Sequence, residues 1–400
     1  MRKGLKGRLR IPALVFIAAL AAGCSGNGDE QTRTERLRTS LIDTWGSYRQ
    51  AHGLPGGGMC AYIETPSGNF FASSDMAPGV DQHSRFRIAS NTKTFTAAAV
   101  MLLAQQGRLH LDDTIVSLIP GMGMPYVPNT AQYNIPNKGS ITIRQILSHT
   151  AGVFDVTNEK IPVACPAPYA GQDYGDYIMA TDPNHQFTPD ELVGVVAACQ
   201  IDKGAPGAQY HYSNTGYSIL AIIIERVSGL PYDQFVTLNL LVPNGLSSTS
   251  VPMLAADRTI APPFNPGYLY AGGALADMTE SNMSYNVAEG NIISTPADIA
   301  RWVRRLYRGE AGPNVASVEA MKSLTPQSNG NYGLGTIYVG GLGYGHNGAH
   351  VGYLSLMVYD PAVDVTTILY FNVWDQANLL THQFPLLNTA AREARAAVGY

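Results

Sequence analysis

The β-strand signal in this chain is split between its two ends, and that split constrains the fold more than any other feature. Met59–Glu64 and Asn69–Ser73 read as a hairpin turning at Pro66-Ser67-Gly68. Comparable runs return only at Tyr332–Val339, Tyr353–Tyr359 and Val363–Val373, with Asp360-Pro361-Ala362 as a turn. Between them lie helical runs such as Ser218–Ser228 and long Pro/Gly/Asn/Tyr loops such as Gly121–Gly139 and Cys165–Asn184. Amphipathic helices are expected near both termini. One covers about residues 31–51, with Leu37, Leu41, Ile42 and Trp45 on one face, and the other covers Thr381–Val398. Pro296–Arg308 reads as a helix capped by Ser294 or Thr295. The economical arrangement is an α+β fold, with an antiparallel sheet built from both chain ends and flanked by the N- and C-terminal helices. Residues 35–107 and 290–400 would form this sheet domain, and 108–289 a mostly helical inserted domain. A cleft between the two is a natural ligand site.

The first residues carry an address. Arg2, Lys3, Lys6, Arg8 and Arg10 form a positive block, followed by the apolar run Ile11–Leu20, which is too short to span a bilayer. Leu20-Ala21-Ala22-Gly23-Cys24 then reads as a bacterial lipobox, with Cys24 as the lipidated residue. Ala21 is unusual at its position, so plain signal cleavage stays open. Residues 1–24 are therefore read as a lipoprotein signal peptide and 25–34 as a tether, which implies export to the cell envelope and a membrane contact through lipid. Export permits disulfides. Cys165 and Cys199 flank one loop-rich insertion and are read as a pair, whereas Cys60 lies in an apolar run and is read as a buried thiol. The net charge of −4 gives no reason to expect nucleic acid. The nine histidines show no metal-binding spacing, and neither a metal nor a cofactor is expected.

Ser90-Asn91-Thr92-Lys93 is the chain's one Ser-x-x-Lys. It lies where the strand-like Phe86–Ala89 meets the helix-like Thr94–Gln106. A helix starting at Ser90 brings Lys93 round to the same side one turn on, within reach of the serine oxygen. The same helix start aims backbone N–H groups at the site, where they can stabilise an oxyanion. The second element is Tyr212-Ser213-Asn214, in a loop before the apolar helix. A tyrosine there can shuttle a proton if a neighbouring ammonium lowers its phenol pKa, and the asparagine amide can bind both a lysine and a substrate carbonyl. Tyr370-Phe371-Asn372 has the same spacing but sits in a core-strand pattern.

The third element is Gly345-His346-Asn347-Gly348-Ala349. Its glycines let backbone and ligand approach closely, and an edge strand here can pair with a peptide-like substrate. The Ala349 N–H is a candidate second oxyanion donor beside that of Ser90. His346 is a candidate carboxylate ligand or proton relay. His350-Val351-Gly352 overlaps it, and His350 is read as structural.

The three elements, in this order, resemble those of the penicillin-recognising serine hydrolases, the serine β-lactamases of the class C kind and the D-alanyl-D-alanine carboxypeptidases. The likeness covers about residues 40–395. It extends to Gly107–Asp113, Ile141–Gly152, Tyr212–Tyr217 and Ile293–Ala300. The resemblance implies that Ser90 is the acylated nucleophile, that Lys93 and Tyr212 exchange protons with it, and that Asn214 positions substrate. It places His346 and Gly348 on the far wall. His346 departs from the lysine of class C enzymes and is similar to the carboxypeptidase, D-aminopeptidase and esterase branches. The expected activity is that of a D-alanyl-D-alanine carboxypeptidase or related D-amino-acid peptidase, acting on peptidoglycan stem peptides, related D-amino-acid amides or another small acyl substrate. An esterase, a β-lactamase or a silent cell-wall binder on the same scaffold are the rivals. His149 and Asp155 suggest a Ser-His-Asp triad, but the chain has no Gly-x-Ser-x-Gly elbow and the resemblance makes His149 a structural turn residue.

Overall fold

The computed structural model describes residues 25–400. The proposed signal segment 1–24, with Cys24, lies outside them. The helices are α1 (Ser25–His52), α2 (Thr92–Gln105), α3 (Ile143–Leu147), α4 (Tyr174–Met179), α5 (Pro189–Cys199), α6 (Asn214–Ser228), α7 (Tyr232–Val236), α8 (Pro296–Tyr307), α9 (Val315–Lys322) and α10 (Phe384–Ala397). The strands are β1 (Met59–Thr65), β2 (Gly68–Ser74), β3 (Phe86–Arg87), β4 (Tyr268–Ala271), β5 (Ala274–Asp277), β6 (Ile293–Ser294), β7 (Ile337–Val339), β8 (Gly343–His350), β9 (Tyr353–Asp360), β10 (Val365–Phe371) and β11 (Val373–Asp375).

The main sheet has the order β2-β1-β10-β9-β8-β7 and is antiparallel throughout. The two chain ends meet where β1 pairs with β10, Met59 opposite Phe371. Both faces of the sheet are covered. Met59, Ala61 and Ile63 join one core with Leu37, Leu41 and Trp45 of α1 and Leu387 and Ala391 of α10. Cys60 and Tyr62 point the other way, into a core shared with Phe95 of α2 and Trp302 of α8. Burial on two faces explains why β9 and β10 read as nearly unbroken apolar runs instead of alternating. Fully burying each such side chain contributes about 1.5–3 kcal/mol.

Several expectations shift in detail. The helix at the N-terminal end already starts at Ser25, so the segment 25–34 expected as a tether lies within α1. Ile42 is 50% exposed, since its neighbour Leu41 takes the core-facing position. The Cys165–Cys199 disulfide is present and Cys60 is a buried free thiol. Thr295, not Ser294, caps α8 by accepting from the Asp298 N–H. The expected Tyr332–Val339 strand is reduced to β7, joined by a single bridge from Tyr332 to Ile337. The region 108–289 also holds a hairpin, β4–β5, that pairs in parallel with β11. Its turn is Gly272-Gly273, both at positive φ, which suits a tight two-residue hairpin. Among the described residues, no helix is long and apolar enough to cross a membrane.

Candidate active site

Ser90 sits on a strained turn. β3 ends at Arg87, and Ala89 takes a left-handed φ of 51° before a short 3-10 turn, Ala89–Asn91, leads into α2. A left-handed alanine costs roughly 1–2 kcal/mol, and such strain clusters at functional sites. The helix itself therefore starts two residues later than Ser90. The expected reach holds all the same, with Lys93 Nζ 3.2 Å from Ser90 Oγ.

Lys93 is sealed because every residue of α2 from Thr92 to Leu103 is buried. Its ammonium position faces Asn214 Oδ1 at 2.6 Å, the Glu289 carbonyl at 3.0 Å and Glu289 Oε2 at 3.2 Å, besides Ser90. It lies 4.8 Å from the centre of the Tyr212 ring. Burial drives the lysine pKa below its usual value, while Glu289 and Asp155 pull against that shift. Burial likewise pushes the Glu289 carboxyl up, opposed by Lys93. Glu289 belongs to no motif and was missed by the sequence reading. Its only sequence signal is a lone acid between Val287-Ala288 and Ile292-Ile293.

The Tyr212 phenol hydrogen-bonds with the Ser90 side chain. Its pKa lies well above the usual value, because desolvation outweighs that bond. This reverses the expectation of a phenol acidified by its neighbour. A neutral Tyr212 is a proton donor, which leaves Lys93 as the group suited to accept the serine proton.

The loop carrying Tyr212 and Asn214 is clamped by the two residues that had suggested a triad. His149 Nδ1 accepts from the Ser213 N–H at 3.0 Å. Asp155 Oδ2 accepts from the Asn214 N–H at 3.1 Å, and its other oxygen binds Thr157. Neither reaches Ser90 as a triad would require. Asn214 donates its amide N–H to Thr157 Oγ1 at 2.8 Å while its oxygen receives Lys93.

β8 forms the opposite wall. β7 pairs only with Gly343–Gly345, so the edge of β8 is open from His346 onward. The Tyr338 N–H turns away to Asn331, which makes Gly345 a residue that exchanges bonds with β7. Alternation then points the backbone groups of Asn347 and Ala349 outward as well. The strand sits directly on the turn of Ser90. A Cβ on Gly348 would lie 2.3 Å from the Ile88 carbonyl oxygen.

His346 is expected from the sequence either to bind a carboxylate or to relay a proton, and its surroundings do not suit the first of these. It is fully buried. Its Nδ1 donates to the Asn347 carbonyl, and its Nε2 accepts from the Tyr332 hydroxyl at 2.9 Å. That hydroxyl in turn receives His149 Nε2 at 3.2 Å. Burial and nearby Lys93 lower the His346 pKa to about 3, so the ring is neutral. His350 is bonded to the Val351 carbonyl through Nδ1, in line with a structural role.

Ser90, Tyr212, Asn214, Asn347 and Ala349 line one cavity of about 500 Å3, closed on the far side by Trp374, Leu379, Leu380 and Phe384. Among the described residues, no cluster of side chains could hold a metal ion.

The fold and this cluster place the chain in a known class. The model of the β-lactamase family matches residues 51–388, and the chain belongs to that family of serine hydrolases. It is 26% identical over 360 residues to penicillin-binding protein 4* of Bacillus subtilis, across 82% of this chain and 69% of that one. It is 24% identical to the putative penicillin-binding protein PbpX of the same organism, across 74% of this chain and 63% of the relative. Among solved structures, a D-stereospecific amidohydrolase from Streptomyces sp. superposes with a TM-score of 0.68 at 26% identity, covering 85% of this chain and 94% of that one. The D-amino acid amidase of Ochrobactrum anthropi SV3 shares the fold, with a TM-score of 0.71 at 22% identity over 92% of this chain and 98% of the amidase.

Proposed function

We propose that this chain is an exported hydrolase that works through an acyl-enzyme at Ser90, on amides of D-amino acids such as peptidoglycan stem peptides. The supporting observation is the Lys93 amine, 3.2 Å from Ser90 Oγ and held where burial favours its neutral form. In this reading Lys93 takes the Ser90 proton as Oγ attacks the carbonyl. The outward N–H of Ala349 and the N–H of Ser90 hold the oxyanion. Tyr212, which keeps its phenolic proton, donates it to the leaving nitrogen and is resupplied from Lys93. Water then attacks the acyl group along the same proton path. Asn214 holds Lys93 and faces the substrate. The D-preference draws on the solved amidohydrolase and the cell-wall setting on the penicillin-binding relatives. Export, and anchoring at Cys24, draw on the basic block and apolar run of the first residues. Hydrolysis rates on D- and L-aminoacyl amides, a D-Ala-D-Ala peptide, a p-nitrophenyl ester and nitrocefin test it. D-configured amides and peptides should turn over fastest. A wide preference for the ester or for nitrocefin would overturn the assignment.

A further inference from the structure

A second cavity, of about 640 Å3, meets the one beside Ser90 at Asn347, which lines both. Tyr210 and Tyr332 also line it, with their ring centres 5.7 Å apart. The Tyr332 ring stands 6.4 Å from that of Tyr212, the group that protonates the leaving nitrogen in the reading above. The second cavity therefore opens on the leaving-group side. Its size falls within the range of about 300–1,000 Å3 that holds a drug-sized ligand, far more than ammonia or one alanine fills. Carboxamides of Gln327, Asn329, Asn331 and Asn388 line it, and they donate and accept at once, as a peptide backbone does.

The far end of this cavity carries a cation. Arg392 of α10 is exposed and reaches across to the turn between β7 and β8. Its Nε and one terminal nitrogen donate to the Gly340 carbonyl at 3.3 and 3.0 Å, and its other terminal nitrogen donates to the Asn388 carbonyl at 3.4 Å. Gly340 and Asn388 both line the cavity. A guanidinium has five N–H donors, so two remain for a ligand. Arg395, the next arginine on α10, clasps the same turn through the Gly341 carbonyl but shares its charge with Asp360 at 2.8 Å. Among the described residues no acid pairs with Arg392. Its neighbour Glu393 accepts from Thr44 of α1 instead, and no Asp or Glu lines the cavity. Gly343, which pairs with Val339 at the turn, lies about 14 Å from Asn347 along β8 at the usual strand rise.

We propose that the second cavity takes an extended peptide tail on the leaving-group side of the scissile bond, and that Arg392 binds a carboxylate on that tail about four residues past the cleaved bond. This rests on the acyl-enzyme reading above and names the leaving group that suits it best, an acidic peptide. A carboxylate directly beside the cleaved bond stays too near Ser90 to reach Arg392, so a peptide that ends there gains nothing from it.

The test uses the full chain and three blocked D-alanyl-D-alanine substrates. One ends at the second D-alanine, one continues through Gly-Gly-Gly to a carboxylate, and one continues through Gly-Gly-Gly to a carboxamide. A fluorophosphonate probe with intact-mass readout is run alongside. The carboxylate-ended tail should be cleaved with at least about threefold higher kcat/KM than the carboxamide-ended one, the size of an exposed ion pair, and faster than the untailed peptide. Arg392→Gln should bring the ratio of the two tails close to one, and Arg392→Lys should restore part of it. Equal rates for the two tails would overturn the proposal. So would a ratio unmoved in Arg392→Gln, which would leave Arg392 as a clasp of the turn alone. A covalent adduct with turnover of none of the three would overturn the tail subsite and leave the nucleophile standing. The absence of any adduct would overturn the acyl-enzyme reading beneath it.

Discussion

Lys93 Nζ and Glu289 Oε2 lie 3.2 Å apart with side-chain exposures of 0% and 3%, an ion pair almost sealed from water. Asn286 holds the other carboxylate oxygen at 2.6 Å. Burial pushes each member toward its neutral form, and their attraction resists this. Removing the charge in Glu289→Gln takes away the strongest attraction that keeps the lysine protonated. The amine then loses its proton at lower pH, so the acid limb of kcat/KM should move down by about one unit or more. An unmoved acid limb would mean that Lys93 is not the base. Lys93→Met leaves the carboxylate buried without an opposite charge, held only by Asn286, and should cost about 3–5 kcal/mol of stability. The double variant Lys93→Met/Glu289→Gln should recover most of that loss in urea unfolding while staying inactive.

Tyr212→Phe keeps the ring against Lys93 and deletes the proton donor. Amide hydrolysis should fall by about 10²–10⁴ in kcat. A p-nitrophenyl ester, whose leaving group needs no proton, should lose far less. Equal losses on the two substrates would remove Tyr212 from the leaving-group step.

Gly348→Ala places a methyl 2.3 Å from the Ile88 carbonyl and 2.8 Å from Asn91 Nδ2. The strand must move off the turn that carries Ser90. Such overpacking costs about 1–3 kcal/mol, and a displacement of about 1 Å at the oxyanion donor costs about 10²-fold in rate. Gly46 in α1 has open space around it, so Gly46→Ala should instead raise stability by about 0.5–1 kcal/mol.

Three histidines with pKa values depressed by burial, His149, His346 and His350, give the fold an acid weakness. His346 is held neutral with its pKa lowered to about 3, and that of His149 is pushed well below its usual value by burial beside Lys93. The unfolded chain takes up these protons near pH 6.5 and the folded one does not, so stability falls as pH drops below that point. Each histidine should cost about 1.4 kcal/mol between pH 7.5 and 5.5. Urea midpoints at the two pH values measure the sum. His350, lowered to about 4 by burial, adds a third such contribution, so His346→Gln should remove about a third of the slope.

The sheet was legible in the sequence because β1, β9 and β10 are long, apolar and bounded by turn residues. The Ser90–Lys93 approach was legible because residues three apart fall on the same side in a 3-10 turn as well as in a helix, and Ser90 lies on such a turn leading into α2. The Gly272-Gly273 hairpin was passed over, although its turn carried a readable signal, because its strands are only four residues long, β4 half-buried and β5 mostly exposed. Glu289 was hidden because its partner is 196 residues away and no local pattern marks an acid as buried. His346 misled for a related reason. Its place on β8 was readable, but its charge state depends on Tyr332 and on burial, which only the packed sheet supplies.

The central claim is that Ser90, activated by Lys93, becomes acylated. Intact-mass analysis after brief exposure to a fluorophosphonate or a penicillin, followed by peptide mapping, tests it most directly. A single adduct on the Ser90 peptide, lost in Ser90→Ala and strongly slowed in Lys93→Met, is the predicted result. An adduct that survives Ser90→Ala, or a wild-type protein that takes up no label, would contradict it.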